Sequence, residues 1–217
     1  MDIFLDSCDI PTIESAFCTG LIDGVTTNPT LVRESGKDPE WLYQELSDIG
    51  LNDISMEVSG SANEMYDEGV RLSKKFGSVT TIKLPMNKQG LAACGGLYEK
   101  GIRTNVTLIF TPAQAILAAK AGATYVSPFV GRVDDQGFAG LEVVRAIADV
   151  FTRHSISTRV LAASIRTVQR AVRSFYNGAE IVTMPPKVFE GMFNHILTDK
   201  GLEIFDQDLR LIDQQSQ

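Results

Sequence analysis

The chain has 217 residues, of which 44% are hydrophobic, and a formal net charge of −7 at pH 7. This acidic balance disfavours binding to nucleic acid or to a membrane surface, and no apolar run approaches the roughly 20 residues of a membrane span. Three cysteines without metal-ligand spacing, and no recognisable signal peptide, predict a cytoplasmic protein with reduced thiols. Neither His154 nor His195 lies beside a ligand cluster or nucleophile motif, so we expect chemistry without a metal or a cofactor.

The N-terminal segment predicts a strand followed by a helix. Residues 1–6 contain the apolar run Ile3-Phe4-Leu5 between two aspartates and end at Asp6, whose carboxylate would lie at the carboxyl end of the strand. Asp9 and Pro11 are typical of a helix start, and the helix is expected over residues 10–17. Taken alone, Asp6 fits a capping or turn residue equally well.

Two further strands carry polar residues near their carboxyl ends. The first lies within residues 24–31 and ends at Asn28, because the following proline drives Asn28 into an extended conformation; a polar loop should follow. A helix is predicted over residues 39–49, and the next strand covers residues 53–58 and contains Glu57. By count alone, a strand glutamate more often faces solvent than a site.

The fourth strand, over residues 78–85, contains the least expected residue of the chain. Lys83 follows a run of β-branched residues and stands two positions before Pro85, which ends the ladder. A lone lysine at such a position usually extends its ammonium group to water. A buried lysine that has lost its proton is instead a nucleophile for carbonyl carbons.

The alternation of strand and helix continues along the rest of the chain. Further strands are predicted at residues 102–108, 123–130, 158–164 and 180–185. Further helices are predicted at residues 61–76, 89–100, 111–122, 141–151 and 167–176. This pattern favours one α/β domain over residues 1–217, a (β/α)₈ TIM barrel, above a doubly wound sheet, since no Gly-rich dinucleotide motif follows an early strand.

A barrel would bring the polar residues at the strand ends to one mouth, where barrel enzymes carry their catalytic groups. These residues are Asp6, Asn28, Glu57, Lys83, Asn105, Thr107, Ser127 and Ser164. Their convergence favours a catalytic lysine over a solvated one.

Seven segments, in order along nearly the whole chain, resemble the motifs of transaldolases. They are Asp6-Ser7, Thr26-Thr27-Asn28-Pro29, Glu57-Val58, Ile82-Lys83-Leu84-Pro85, Asn105-Val106-Thr107-Leu108-Ile109-Phe110, Ser127-Pro128-Phe129-Val130-Gly131-Arg132 and Ala163-Ser164-Ile165-Arg166. The compact length is most similar to the short subfamily that includes the fructose-6-phosphate aldolases. Members of that subfamily assemble as decamers of two stacked pentameric rings.

The resemblance implies Schiff-base chemistry on sugar phosphates. Lys83 would attack the ketone of the substrate and form an imine. Asp6 would take the proton from the C4 hydroxyl, and Glu57 with Thr107 would move protons as the carbinolamine loses its hydroxyl.

The same resemblance implies the groups that bind the substrate. Asn28, Asn105 and Ser127 would contact the hydroxyls of the dihydroxyacetone fragment. The remaining substrate-binding residues would be Phe129, Arg132, Ser164 and Arg166. Of these, the two arginines and the serine would hold the phosphate through charge-assisted hydrogen bonds. In the alternative reading, Arg132 pairs with Asp134 or Asp135 in a solvated loop.

Two positions separate the subfamilies, since the aldolases carry Gln at the position of Glu57 and Tyr at the position of Phe129. Both residues predict a transaldolase of the pentose phosphate pathway that transfers dihydroxyacetone from sedoheptulose 7-phosphate to glyceraldehyde 3-phosphate. The products would be erythrose 4-phosphate and fructose 6-phosphate. A fructose-6-phosphate aldolase that releases dihydroxyacetone is one alternative. A non-catalytic sugar-phosphate-binding barrel is another, although it would not need Lys83, Asp6 and Glu57 together.

The last predicted element is an additional helix over residues 201–213. Its apolar stripe consists of Leu202, Phe205, Leu209 and Ile212. Because the eighth strand and helix are already complete, the stripe has no obvious place on its own barrel. We expect it to pack on a neighbouring subunit of a homo-oligomer.

Overall fold

Eight parallel strands form a closed barrel in the order of the chain. The computed structural model describes residues 1–215. The strands are β1 (Asp2–Asp6), β2 (Gly24–Thr26), β3 (Ile54–Glu57), β4 (Thr80–Pro85), β5 (Arg103–Ile109), β6 (Tyr125–Pro128), β7 (Arg159–Ala162) and β8 (Ile181–Met184). The barrel closes where β1 pairs with β8, with Ile3 opposite Val182. The predicted (β/α)₈ barrel is therefore confirmed.

One or two helices follow each strand of the barrel. They are α1 (Ile10–Phe17), α2 (Pro29–Ser35), α3 (Pro39–Asp48), α4 (Ala62–Phe76), α5 (Lys88–Glu99), α6 (Pro112–Lys120), α7 (Val130–Asp135), α8 (Gly140–Arg153), α9 (Val168–Tyr176), α10 (Pro186–Gly191) and α11 (Ile196–Gln215). The predicted C-terminal helix corresponds to α11, which begins at Ile196 instead of residue 201.

Three short helices, α2, α7 and α10, were not predicted from the sequence. Helix α2 occupies the predicted polar loop because the Asn28 side chain caps it, accepting a hydrogen bond from the Leu31 N–H at 3.0 Å. Helix α7 includes Val130, which was assigned to the sixth strand. Helices of six or seven residues contain too few apolar positions to show a helical period.

The amino-terminal half of the barrel interior is apolar. Phe4, Tyr125, Leu161 and Ile181 pack together there and are at most 5% exposed. Side chains alternate along a strand, so each of these residues shares its face with the residue two positions further on. Those residues are Asp6, Ser127, Ala163 and Thr183, and all except Ala163 are polar. An apolar layer therefore supports the polar side chains at the opposite end of the barrel.

A buried ion pair lies at the amino-terminal end of the strands. Asp53 is 3% exposed, pairs with Arg103 at 2.8 Å and accepts a hydrogen bond from the Tyr125 hydroxyl at 2.8 Å. Burial raises the pKa of Asp53 above its ordinary value, and the charge of Arg103 opposes that rise. The pair links the start of β3 to β5 and β6.

Helix α11 carries exposed apolar side chains along its length. Leu202, Phe205 and Leu209 are 56%, 65% and 59% exposed. A contiguous apolar stripe of this kind is unusual on the surface of a monomeric protein. Within residues 1–215, neither α11 nor another helix is long and apolar enough to cross a membrane.

Candidate active site

A cavity of about 440 Å³ opens at the carboxyl end of the barrel strands. Residues of β1 to β6 and β8, and of the segments that follow β2, β6 and β7, including the starts of α2 and α7, line it, as barrel topology predicts for a site. The sequence-predicted residues among them are Asp6, Asn28, Glu57, Lys83, Asn105, Thr107, Ser127, Phe129, Arg132 and Ser164. Barrel closure therefore brings together residues that are up to 158 positions apart, from Asp6 to Ser164.

Lys83 lies at the base of this cavity and is 5% exposed. Its Nζ pairs with Glu57 Oε2 at 2.9 Å and donates a hydrogen bond to the carbonyl oxygen of Thr27 at 2.7 Å. Glu57 stands opposite Lys83 in the register of β3 and β4. The side chain is thus buried and paired, and does not extend to water as a lone strand-end lysine would.

Asp6 also lines the cavity, at the carboxyl end of β1. Its Oδ1 accepts hydrogen bonds from Thr26 Oγ1 at 2.9 Å and from Asn28 Nδ2 at 3.4 Å. Burial raises the pKa of Asp6 above the ordinary aspartate value, while the charge of Lys83 and both hydrogen bonds oppose the rise. A carboxylate with increased proton affinity is suited to accept and return a proton.

Asn28 is held by its role at the start of α2. Its Oδ1 accepts from the Leu31 N–H, and this fixes the orientation of the amide so that Nδ2 faces Asp6. Pro29 occupies the first position of the helix, where a missing N–H costs nothing. The same local sequence therefore ends the strand, begins the helix and aims an amide donor into the cavity.

Asn105 is oriented by two hydroxyl groups, one on the neighbouring strand β6 and one on β3. Ser127 Oγ donates to its Oδ1 at 2.6 Å, and its Nδ2 donates to Ser55 Oγ at 3.2 Å. Asn105 also stands opposite Lys83 in the register of β4 and β5. The amide therefore lies beside Lys83 with a fixed orientation.

Thr107 differs from these residues because its hydroxyl is not used by the fold. It is 1% exposed, and its Oγ1 has no hydrogen-bond partner among the described residues. Leu108, the next residue, has a φ of 61°, and the register of β5 with β6 shifts between Val106 and Ile109. This irregularity is a bulge that redirects the chain next to the cavity.

Phe129 and Arg132 form one wall of the cavity. The Arg132 guanidinium lies over the Phe129 ring, 5.1 Å from its centroid, and Phe110 packs edge-on against the same ring at 5.9 Å. Asp134 and Asp135 pair with Arg170 and Arg166 instead. The predicted alternative, in which Arg132 pairs with one of these carboxylates, does not hold among the described residues.

Ser164 and Arg166 follow β7 and meet α7 at Gly131. The Gly131 N–H donates to the Ser164 carbonyl at 3.0 Å, and Ser164 adopts a left-handed backbone with φ of 58°. A Cβ on Gly131 would lie 2.8 Å from Arg166 Nε and 3.0 Å from Ser164 Oγ. Among the predicted residues within 1–215, Arg166 alone is not part of the cavity lining; its terminal nitrogens pair with both oxygens of Asp135.

Three cavity or supporting residues were missing from the predicted site. Thr26 donates to Asp6, Thr183 lies 2.6 Å from Thr26 between the hydroxyl oxygens, and Ser55 holds Asn105. Thr26 stands two positions before Asn28, so strand alternation alone would have indicated that it faces the interior. Ser55 stands two positions before Glu57 and carries the same signal, whereas β8 holds no predicted site residue that would have marked Thr183.

The sequence is similar to one family over almost its entire length. A model of the family described as transaldolase/fructose-6-phosphate aldolase matches residues 3–216. A protein of Caulobacter vibrioides (strain NA1000 / CB15N) named probable transaldolase is 47% identical over 209 residues, which cover 96% of each chain. Probable transaldolases of Paracoccus denitrificans (strain Pd 1222) and Clostridium botulinum (strain Loch Maree / Type A3) are 44% and 46% identical, each with 96% of both chains covered. The barrel mouth carries a lysine, two carboxylates and two amides, as the family resemblance implies. The chain therefore belongs to the transaldolase/fructose-6-phosphate aldolase family and is an enzyme of the aldolase/transaldolase type.

Proposed function

We propose that the enzyme is a transaldolase that transfers dihydroxyacetone from sedoheptulose 7-phosphate to glyceraldehyde 3-phosphate. The products are erythrose 4-phosphate and fructose 6-phosphate. The observation that carries the proposal is the buried Lys83, whose Nζ lies 2.9 Å from Glu57 at the base of a cavity lined by hydroxyl and amide groups. A neutral amine in such a position can attack the ketone of a sugar.

The first half-reaction forms the imine. Lys83 Nζ adds to the ketone carbon, and the resulting carbinolamine loses its hydroxyl as water. Glu57 accepts a proton from the nitrogen and, through a water molecule bound at Thr107, returns one to the departing hydroxyl. The buried hydroxyl of Thr107, which has no partner among the described residues, supports this assignment.

Asp6 then serves the carbon–carbon bond cleavage. It takes the proton from the C4 hydroxyl as the C3–C4 bond breaks, the electron pair moves into the imine, and the aldose leaves. The enamine that remains on Lys83 attacks the aldehyde carbon of the acceptor, and Asp6 returns its proton to the new hydroxyl. Hydrolysis of the imine frees the product. The raised pKa of Asp6 supports its use as both base and acid.

The binding groups divide by chemistry. Asn28, Asn105 and Ser127 bind the hydroxyls of the dihydroxyacetone unit, and the fixed orientation of both amides supports that role. Arg132 and Ser164, with Arg166 beside Gly131, bind the phosphate. A net charge of −7 requires local cations of this kind for an anionic substrate.

Transfer is favoured over release of free dihydroxyacetone because Phe129 has no proton to donate. Its ring is held between Phe110 and Arg132 at the cavity wall, where a tyrosine would add a hydroxyl. With Phe129 at this position, the ring supplies no hydroxyl to protonate the enamine on Lys83, so its protonation and the later hydrolysis of the imine are slow. The enamine therefore persists until an aldehyde acceptor binds.

Side-by-side assays test the choice between transferase and aldolase. Formation of fructose 6-phosphate from sedoheptulose 7-phosphate should be much faster in wild type than condensation of free dihydroxyacetone with glyceraldehyde 3-phosphate. The double variant with Phe129→Tyr and Glu57→Gln should shift this ratio towards condensation. If wild type condenses free dihydroxyacetone as fast as it transfers the bound unit, the enzyme is a fructose-6-phosphate aldolase.

We also propose that the enzyme is a cytoplasmic homo-oligomer built from pentameric rings. The support is the exposed stripe on α11, where Leu202, Phe205 and Leu209 are each more than half exposed on a single chain. A second copy of the chain, with its own apolar helix, is the partner that the family resemblance implies. The three cysteines at unrelated spacings support the assignment to a reducing compartment.

A further inference from the structure

We infer that Asp135 limits the preference of the enzyme for phosphorylated over unphosphorylated sugars, because it competes with the sugar phosphate for Arg166. The inference rests on the proposed function, because it concerns the phosphate end of the same cavity. None of the proposed steps of the reaction uses Asp135. Its position follows from the pairing of two loops at the barrel mouth.

The pair has the geometry that an arginine uses to bind phosphate. Both oxygens of Asp135, the last residue of α7, contact the two terminal nitrogens of Arg166. A guanidinium presents parallel N–H groups that match two oxygens of a carboxylate or of a phosphate in the same way. Asp135 therefore occupies the edge of Arg166 that a phosphate would use best.

Asp135 contacts the terminal nitrogens, and the Nε side of the guanidinium lies beside Gly131. Arg166 Nε lies close to Gly131, near Ser164 Oγ, and Ser164 lines the cavity. A glycine is required there because a Cβ would contact both groups at 3.0 Å or less. A phosphate bound by Ser164 is thus close to Arg166 and can draw its terminal nitrogens away from Asp135.

The exchange is energetically accessible because the pair is exposed. The Arg166 and Asp135 side chains are 54% and 45% exposed, and ion pairs at such sites shift an equilibrium by no more than about fivefold. A phosphate group carries more negative charge than a carboxylate and offers three oxygens, so it is the stronger partner. Asp135 then lowers phosphate affinity without preventing binding.

The neighbouring charges do not replace Asp135 in this role. Asp134 pairs with Arg170 at 3.1 Å and accepts a hydrogen bond from the Gly140 N–H at 3.0 Å, which anchors it to the start of α8. Arg132 is stacked on Phe129. Arg166, and to a smaller extent Arg132, hold the pKa of Asp135 below its usual value, so the competing carboxylate stays ionised at neutral pH.

The test is Asp135→Asn, with glyceraldehyde 3-phosphate and glyceraldehyde as alternative acceptors. Removal of the competing charge should lower the KM for the phosphorylated acceptor by about two- to fivefold, while kcat and the kcat/KM for glyceraldehyde remain at wild-type values. Asp135→Glu keeps the carboxylate and should restore the wild-type KM. Asp149→Asn removes a comparable exposed carboxylate, the partner of Arg145 on α8, and serves as the control.

Inorganic phosphate gives a second readout that does not require turnover. Calorimetric titration should show tighter phosphate binding to Asp135→Asn than to wild type, by the same factor as the change in KM. An unchanged affinity, with phosphate still bound by both proteins, overturns this inference and leaves the proposed function intact. Weaker binding or a higher KM also overturns it, because Asp135 would then position Arg166 for phosphate. If wild type binds no phosphate and uses both acceptors alike, both proposals fail.

Discussion

The Nζ of Lys83 lies 2.9 Å from Oε2 of Glu57, directly across the ladder between β3 and β4. The register of the barrel sets this distance, since both residues belong to strands and stand opposite each other. A second contact, from Nζ to the Thr27 carbonyl at 2.7 Å, comes from the segment that follows β2. Three successive strands thus hold the amine in one place, and a site held by rigid elements needs little rearrangement to react.

The role of Asp6 is tested by Asp6→Asn. The change keeps the size of the side chain but removes its ability to accept a proton. Imine formation on Lys83 should persist, while cleavage of the C3–C4 bond should fall by about 10²- to 10⁴-fold, the range typical of acid–base groups. Rapid-quench trapping of the imine, compared with steady-state turnover, separates the two steps. Turnover close to wild type would mean that Asp6 acts only as a turn residue.

The same substitution should change stability in a pH-dependent way. Because the pKa of Asp6 is raised in the folded protein, the folded state binds more protons than the unfolded state between the ordinary aspartate pKa and the raised value. The free energy of unfolding that Asp6 contributes therefore falls as pH rises through that window. Asp6→Asn removes this loss, so the variant should be more stable than wild type at neutral pH.

Urea unfolding at several pH values checks the sign. The stability gain of Asp6→Asn should shrink as pH falls and vanish below about pH 3.9, where the aspartate is protonated in both states. A variant that is less stable than wild type at neutral pH would show that the attraction of Asp6 to the Lys83 charge, with its hydrogen bonds, outweighs its burial. Asp149→Asn, at an exposed carboxylate far from the cavity, controls for the loss of one negative charge.

The orientation of Asn105 depends on Ser55. Ser55→Ala removes the hydroxyl that accepts the 3.2 Å hydrogen bond from Asn105 Nδ2, and this buried donor then has lost its partner. We expect a loss of about 1 to 3 kcal/mol in the free energy of unfolding and a rise of about five- to tenfold in the KM for the ketose donor. Ser174→Ala removes another buried hydroxyl, which bonds only within α9, and should lower stability without changing KM.

Helix α11 should hold the oligomer together. Phe205→Ser combined with Leu209→Ser places polar groups on the apolar stripe and should shift the sedimenting species towards smaller assemblies. Truncation before Gly201 should have a larger effect of the same kind. Asp208→Ser, on the same helix, is the control and should leave the assembly intact. Wild type that sediments as a monomer at micromolar concentration would contradict the proposal.

Much of the site could be predicted because its residues are placed by strand ends. Asp6, Lys83 and Asn105 each stand near the carboxyl end of a strand that the sequence indicates clearly. Closure of the barrel then brings these strand ends together around one cavity. Helix α2 was missed because its signal is the side chain of Asn28, which reads equally well as the start of a loop.

The pairing of Arg166 with Asp135 was beyond the reach of sequence reasoning. The two residues are 31 positions apart, and they meet because the loop after β7 and helix α7 pack around Gly131. Ser55 was missed for a different reason. A serine within a buried strand shows its purpose only when the amide of Asn105 is placed beside it.

Reductive trapping can show whether Lys83 is the nucleophile. The enzyme is incubated with fructose 6-phosphate, reduced with borohydride, digested and analysed by mass spectrometry. We expect a reduced three-carbon fragment on the peptide that contains Lys83, and no fragment and no turnover in Lys83→Ala. Lys88→Ala, which removes an exposed lysine five positions further along the chain, should be labelled as wild type is. An adduct on another lysine, or none on the active wild-type enzyme, would contradict the assignment of Lys83 as the nucleophile.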